Sequence, residues 1–236
     1  MRLAAAAALV VLVCPPASFA QEWRQFVSRQ DLFAVNVPSE PDVRNIVWDS
    51  EHGAPLPARV YTVTQGPSTY SVTVVDYRPA KEILTARSKQ CPPKLERCDG
   101  LTSFSGAGYW KNDVRGAMIY AAFKLMQRDI KVTHYMWNYL GFEGVEANEL
   151  QFINNADQSR SFVTLYMHHD RLYILEGRVP TDRPAPALFV QSVSLYEEDG
   201  TQANHDKVFY NGTEVDPQET NQFKGPRYIP ESGSQR

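Results

Sequence analysis

Runs of strand-forming sequence, then two helical stretches, then further strands and a closing helix predict an α+β domain: an antiparallel-dominated sheet with packed helices. Three observations carry this expectation. Apolar residues alternate with a period of two over residues 58–64 and 70–77, as in paired strands. The period lengthens to the helical one after Ala80 and again after Asp113. Connections between the strand candidates are hairpin-short, whereas parallel strands need long crossovers, so a nucleotide-binding βα alternation does not fit.

Residues 23–27 and 32–37 read as short strands, the second closed by Pro38 and Pro41. Residues 46–48 form a further extended candidate. Residues 58–64 and 70–77 make the clearest hairpin, with Gln65-Gly66-Pro67-Ser68 as its turn. Ile83, Leu84 and Arg87 suit a short helix ending before Cys91. After the connector Ser105-Gly106-Ala107-Gly108, Asn112 or Asp113 can cap a second helix with Val114, Ala117, Met118, Ala121, Ala122 and Leu125 on one stripe. Ile119, Phe123 and Met126 widen that stripe enough that residues 113–128 also suit a strand. Residues 132–139, 145–153, 161–168 and 172–179 supply four more strands, with turns at Asn154-Asn155-Ala156-Asp157 and His169-Asp170. Pro184 and Pro186 open a final helix through Phe189, Val193 and Leu195.

The N-terminus reads as a cleavable export signal. Arg2 precedes a 12-residue apolar run from Leu3 to Cys14, Pro15 and Pro16 break it, and Ser18-Phe19-Ala20 offers small residues before a cut at Gln21. Twelve residues fall short of the roughly 20 that span a bilayer, so no membrane span is expected. A lipid anchor on Cys14 would want a small residue before it, and Val13 stands there. The expected organisation is a signal at 1–20, one domain at 21–198, and a polar, mostly disordered tail at 199–236, in a periplasmic or secreted protein. Without Arg2 the chain has 23 Lys plus Arg against 27 Asp plus Glu, a net charge of −4 with scattered bases, which excludes a nucleic-acid-binding stripe.

Cys91 and Cys98 frame a loop carrying Pro92 and Pro93. In an oxidising compartment so close a pair reads as a disulfide, a loop staple contributing roughly 2.5 kcal/mol for a ring of about eight residues. A structural zinc site would need about four ligands, and no second pair stands at matching spacing.

Three stretches, Leu32-Phe33-Ala34-Val35-Asn36-Val37-Pro38-Ser39-Glu40-Pro41, Arg171-Leu172-Tyr173-Ile174-Leu175 and Leu188-Phe189-Val190-Gln191-Ser192-Val193-Ser194-Leu195, resemble the landmarks of PsbP-like domains. Gly116-Ala117-Met118-Ile119-Tyr120-Ala121 and Gln127-Arg128-Asp129-Ile130-Lys131-Val132-Thr133-His134 make the chain similar to exported proteins of Gram-negative bacteria. The resemblance implies an α/β/α sandwich with binding or assembly roles, and transfers no catalytic residue. The Cys91–Cys98 loop departs from that pattern.

Chemistry-bearing residues are few. His168-His169-Asp170, with His134 on another strand, is the most suggestive cluster. Adjacent strand residues point to opposite faces, so His168 and His169 grip one metal only if a hairpin corner turns one of them toward His134 or an acid. No Gly-x-Ser-x-Gly elbow or phosphate loop is present. Glu197-Glu198-Asp199 could resemble an acidic metal site, but consecutive acids after a helix read as a solvated end. Among the aromatics Tyr109, Trp110, Tyr120, Tyr135, Trp137 and Tyr139, most are expected in the core, with a partner surface at Gly106, Gly108, Tyr109 and Trp110.

The leading expectation is a non-enzymatic binding or envelope accessory protein with no cofactor, metal or catalytic residue, whose partner is an envelope protein or small ligand. The alternative is a metal-dependent or hydrolytic envelope enzyme using His134, His168 or His169. Intact mass of the protein from an envelope extract should correspond to a chain beginning at Gln21; an acylated species beginning at Cys14 would overturn the export reading.

Overall fold

A computed structural model describes residues 23–88, 109–140, 145–203, 208–210 and 213–215. Its centre is a seven-stranded antiparallel sheet in the order β3 (Asp42–Asp49), β4 (Pro55–Gln65), β5 (Ser68–Asp76), β9 (Arg171–Val179), β8 (Arg160–His168), β7 (Glu146–Asn154) and β6 (Ile130–Leu140). Two meanders, β3 to β5 and β6 to β9, meet at the seam where Val72 lies opposite Leu175 and Val74 opposite Tyr173. Between them the chain crosses one face as α1 (Ala80–Ser88) and α2 (Tyr109–Met126). The expected α+β class with a mostly antiparallel sheet is present.

The period-two alternation sorts side chains to two cores. Leu56, Val75, Leu150, Phe152, Val163, Leu165, Leu172 and Ile174 face the helices, where Ala117, Ala121 and Ala122 allow α2 a close approach. Tyr61, Val63, Tyr70, Val72, Val74, Tyr166, Tyr173 and Leu175 face the other way. Over them lies a small antiparallel sheet of β1 (Arg24–Ser28), β2 (Phe33–Val37) and β10 (Ser194–Leu195), beside the one-turn helix α3 (Ala187–Val190).

The second outer layer is therefore largely strand, and the expected closing helix through Leu195 is corrected to one turn. Ser192 explains the break: its hydroxyl donates to the Phe189 carbonyl at 3.0 Å and accepts the Asn36 backbone N–H at 2.8 Å, after which the chain pairs with β2. Gly177 in β9 makes room for this segment, since a Cβ there would meet Pro186 Cγ at 2.7 Å.

Other differences are local. Residues 113–126 are helix and not strand, because the stripe meets a wide apolar sheet face. The helix begins at Tyr109, so Asp113 sits inside it and does not cap it; its buried carboxylate accepts the His52 backbone N–H at 3.4 Å. The 65–68 turn is a two-residue loop in which Gly66 takes φ +57, a conformation such loops require and glycine tolerates. Past residue 198, Ala203 is buried in the second core, Tyr196 bridges Gln202, and β11 (Val208–Tyr210) pairs with β12 (Thr213–Val215). Among the described residues no helix is long and apolar enough to cross a membrane.

One buried carboxylate links the two sheets. Asp31, in the β1–β2 loop, accepts hydrogen bonds from Arg59 Nε at 2.6 Å, from Arg59 Nη2, and from the Tyr61 hydroxyl at 2.5 Å. Its backbone carbonyl accepts the Tyr173 hydroxyl at 2.9 Å, and its N–H donates to Ser28 Oγ. Burial, reinforced by the bond to Asp31, pushes the Tyr61 phenol above its ordinary range. Asp31→Ala would leave Arg59 and Tyr61 without that acceptor and should lower stability by about 2–3 kcal/mol, read as a lower urea midpoint at unchanged slope.

Candidate functional site

The β8–β9 connection decides where the candidate histidines go. His168 pairs with Arg171, so His169 and Asp170 alone form the loop, at φ +47 and φ +54. That is the backbone of a type I′ turn, whose twist suits a tight hairpin and whose usual residues are Asn and Gly. Here the left-handed conformation is held at two residues that pay for it. The Tyr77 N–H donates to the Asp170 carbonyl at 2.8 Å and pins the turn against the end of β5.

His168, at the end of β8, shares the face of Tyr166 and is fully buried. The turn re-aims His169 onto the same side, leaving the two imidazole centroids 4.2 Å apart. Glu197 arrives from the chain after β10, in a tight loop where its N–H donates to the Thr201 carbonyl at 2.8 Å and its carbonyl accepts the Gly200 N–H at 3.0 Å. His169 Nε2 and Glu197 Oε2 are hydrogen-bonded at 2.5 Å, and His168 Nε2 lies 3.8 Å from Glu197 Oε1. One ligand atom from each of the three residues falls within 4.8 Å of the others, a spacing that can hold a metal ion.

A charged rim surrounds this corner. Asp76 lies opposite Arg171 across the β5–β9 seam and takes a two-bond contact from Arg78, at 2.8 and 2.7 Å. Burial raises the Asp76 carboxyl, but the Arg78 hydrogen bonds outweigh it and hold it below the usual carboxylate range. Glu198 stands 3.9 Å from Arg78 and 3.8 Å from the buried Arg171. Burial pushes the Asp170 carboxyl up, only partly offset by His169.

His134 belongs elsewhere. It is exposed on β6 opposite Gln151, which lies opposite Phe162, six residues and about 20 Å along β8 from His168. Glu197, read from sequence as a solvated end, is the acid that joins the histidines. No fixed spacing announces it, since it lies 28 residues from His169. Cys91, Cys98, Gly106 and Gly108 lie outside the described residues, while Tyr109 and Trp110 are the first two residues of α2.

A second feature is the outer edge of the sheet. Residues 131–137 of β6 are exposed without interruption, including Val132, Tyr135, Met136 and Trp137, the last at 63%. Register irregularities fall between Val132 and His134 and between Met136 and Tyr139. A cleft of about 590 Å³ also opens at the opposite end of the β5–β9 seam, lined by Trp23, Tyr70, Pro186 and Leu188.

Comparison with protein-family models finds no match, and comparison with curated proteins finds none either.

The turn also predicts a pH effect. Because burial raises the Asp170 carboxyl, its contribution to stability is fully present below its unfolded value near 3.9 and is lost as pH rises through the folded value. Asp170→Asn removes the charge and keeps a residue that tolerates left-handed backbone. The variant should melt higher than wild type at pH 7 and lose that advantage by pH 3, as followed by circular dichroism.

Proposed function

We propose that this chain is an exported, non-enzymatic envelope accessory protein of PsbP-like type that binds an extended segment of a protein partner along β6. The carrying observation is the row of exposed residues on that edge, with Val132, Tyr135, Met136 and Trp137 among them. An edge strand presents unpaired backbone donors and acceptors, and soluble proteins usually blunt such edges with charge, proline or cover. Addition of a strand supplies main-chain bonds, while apolar and aromatic side chains supply affinity and choice of partner. The dispersed, mildly acidic charge of the chain suits a protein partner better than a polyanion.

The His168–His169–Glu197 corner does not require an enzyme. It is far from His134, and its short His169–Glu197 bond ties the β8–β9 turn to the chain after β10. The PsbP-like resemblance supports a binding role, with the outer layer over β5 and β9 built from β1, β2 and β10.

A photo-crosslinking residue placed at Val132 or Trp137 should trap one discrete partner in intact envelopes, and the same residue at Val47, exposed on the opposite edge strand β3, should not. Trp137→Lys should weaken that partner by about 30-fold or more in Kd without shifting the melting temperature. Equal adducts from Val47 and Trp137, or none from either β6 position, would refute the reading.

A further inference from the structure

We infer that His168, His169 and Glu197 form a binding site for one divalent transition-metal ion of the zinc type, with a coordination position open on the His169 side. Two imidazoles and one carboxylate are borderline and hard ligands in the combination that suits zinc, and two histidines with one glutamate form a known three-ligand set that leaves a fourth position for water or another group. The three donor atoms lie within 4.8 Å of one another. A tetrahedral ion with ligand bonds near 2.0–2.2 Å places its donors about 3.4 Å apart. Glu197 turns one oxygen to each histidine, Oε1 at 3.8 Å from His168 Nε2 and Oε2 at 2.5 Å from His169 Nε2, so its carboxylate lies between the two imidazoles and His169 must retreat by about 1 Å to admit an ion.

The metal and the proton therefore compete for one place. In the hydrogen-bonded arrangement the Nε2–H of His169 faces Glu197 Oε2; on binding, the ion takes that position and the neutral imidazole carries its proton on Nδ1. Access is from the outside of the turn, because the His169 side chain is 27% exposed while His168 is at 0% and Glu197 at 12%. The charged groups facing the corner are Asp76, Asp170 and Glu198 on the acidic side, and Arg78 and Arg171 on the basic side. With Glu197 these make four carboxylates against two guanidinium groups, a net charge of −2 that matches a dication.

The site also has a structural consequence. Its ligands come from the β8–β9 turn and from the loop after β10, so one ion would fasten the closing segment of the chain to the main sheet.

The test uses the full mature chain, stripped with a chelator and titrated with zinc against a chromogenic competitor. One equivalent should bind, with a higher melting temperature. His169→Asn, which keeps a residue tolerant of the left-handed turn, and Glu197→Gln should each weaken binding by at least about tenfold, while His134→Asn should bind as wild type does. Cobalt(II) loading should give tetrahedral ligand-field bands that Glu197→Gln loses. Circular dichroism of the metal-free variants separates loss of the site from loss of the fold, and His169→Asn, altered at a partly exposed turn, is the variant expected to stay folded. Zinc binding below one equivalent, binding unchanged in both site variants, or binding lost on Cys91→Ser/Cys98→Ser would each overturn the inference.

Discussion

The arrangement of layers depends on a single buried acid. Asp31 sits between two sheets that share no strand, and its carboxylate and backbone are bonded to residues of β4 and β9 at once. Hydrophobic burial alone would let the small sheet slide over Tyr61, Val72 and Tyr173, since apolar contact is non-directional. A carboxylate with charge-assisted and hydroxyl donors is directional, and a displaced register would strand it in a low-dielectric interior. Leu32, at φ +54 immediately after Asp31, shows that the loop backbone bends to serve that position, and its carbonyl accepts the Tyr196 N–H at 2.9 Å.

From that register the rest of the second face follows. Once β2 is seated, β10 pairs with it, and the chain after β10 is delivered to the end of the main sheet where the β8–β9 turn lies. Glu197 meets His168 and His169 because two tight loops, 169–170 and 197–201, converge there. The corner is thus a product of the Asp31 tie several elements away. Arg171 and Arg78 complete it from the side of the seam, in contact with Glu198.

The two sides of the sheet differ in what they leave to solvent. Small residues let α2 press against the helix-facing core, yet Ile119 and Phe123 remain exposed at 48% and 55% on its outer side. The β3 edge exposes Val43 and Val47, but its exposed row is broken by Ile46 and by Trp48, its one aromatic residue, both of which pack against the helix-facing core. The β6 edge instead shows a continuous row with aromatic members. That contrast between two edges of one sheet carries the functional reading.

Most strands and both longer helices were legible in the sequence because their signal is local: alternation in 58–64 and 70–77, and the stripe through Val114, Ala117, Ala121 and Leu125, report only which side of an element is apolar. The closing helix was misjudged for the same reason. Phe189, Val193 and Leu195 satisfy a helical spacing, and only the bond between Ser192 and Asn36, 156 residues apart, turns that stretch into a strand against β2. Sequence likewise singled out His168 and His169 and, separately, Glu197 among three consecutive acids, but did not join them, and set His134 beside the histidines where the sheet order holds it a full strand length away. Local periodicity determined most of the elements, and the hairpin-short connections between them the antiparallel class. The tertiary structure alone decided the second outer layer and the composition of the corner, because both rest on contacts between distant segments whose meeting depends on the backbone path of every turn between them.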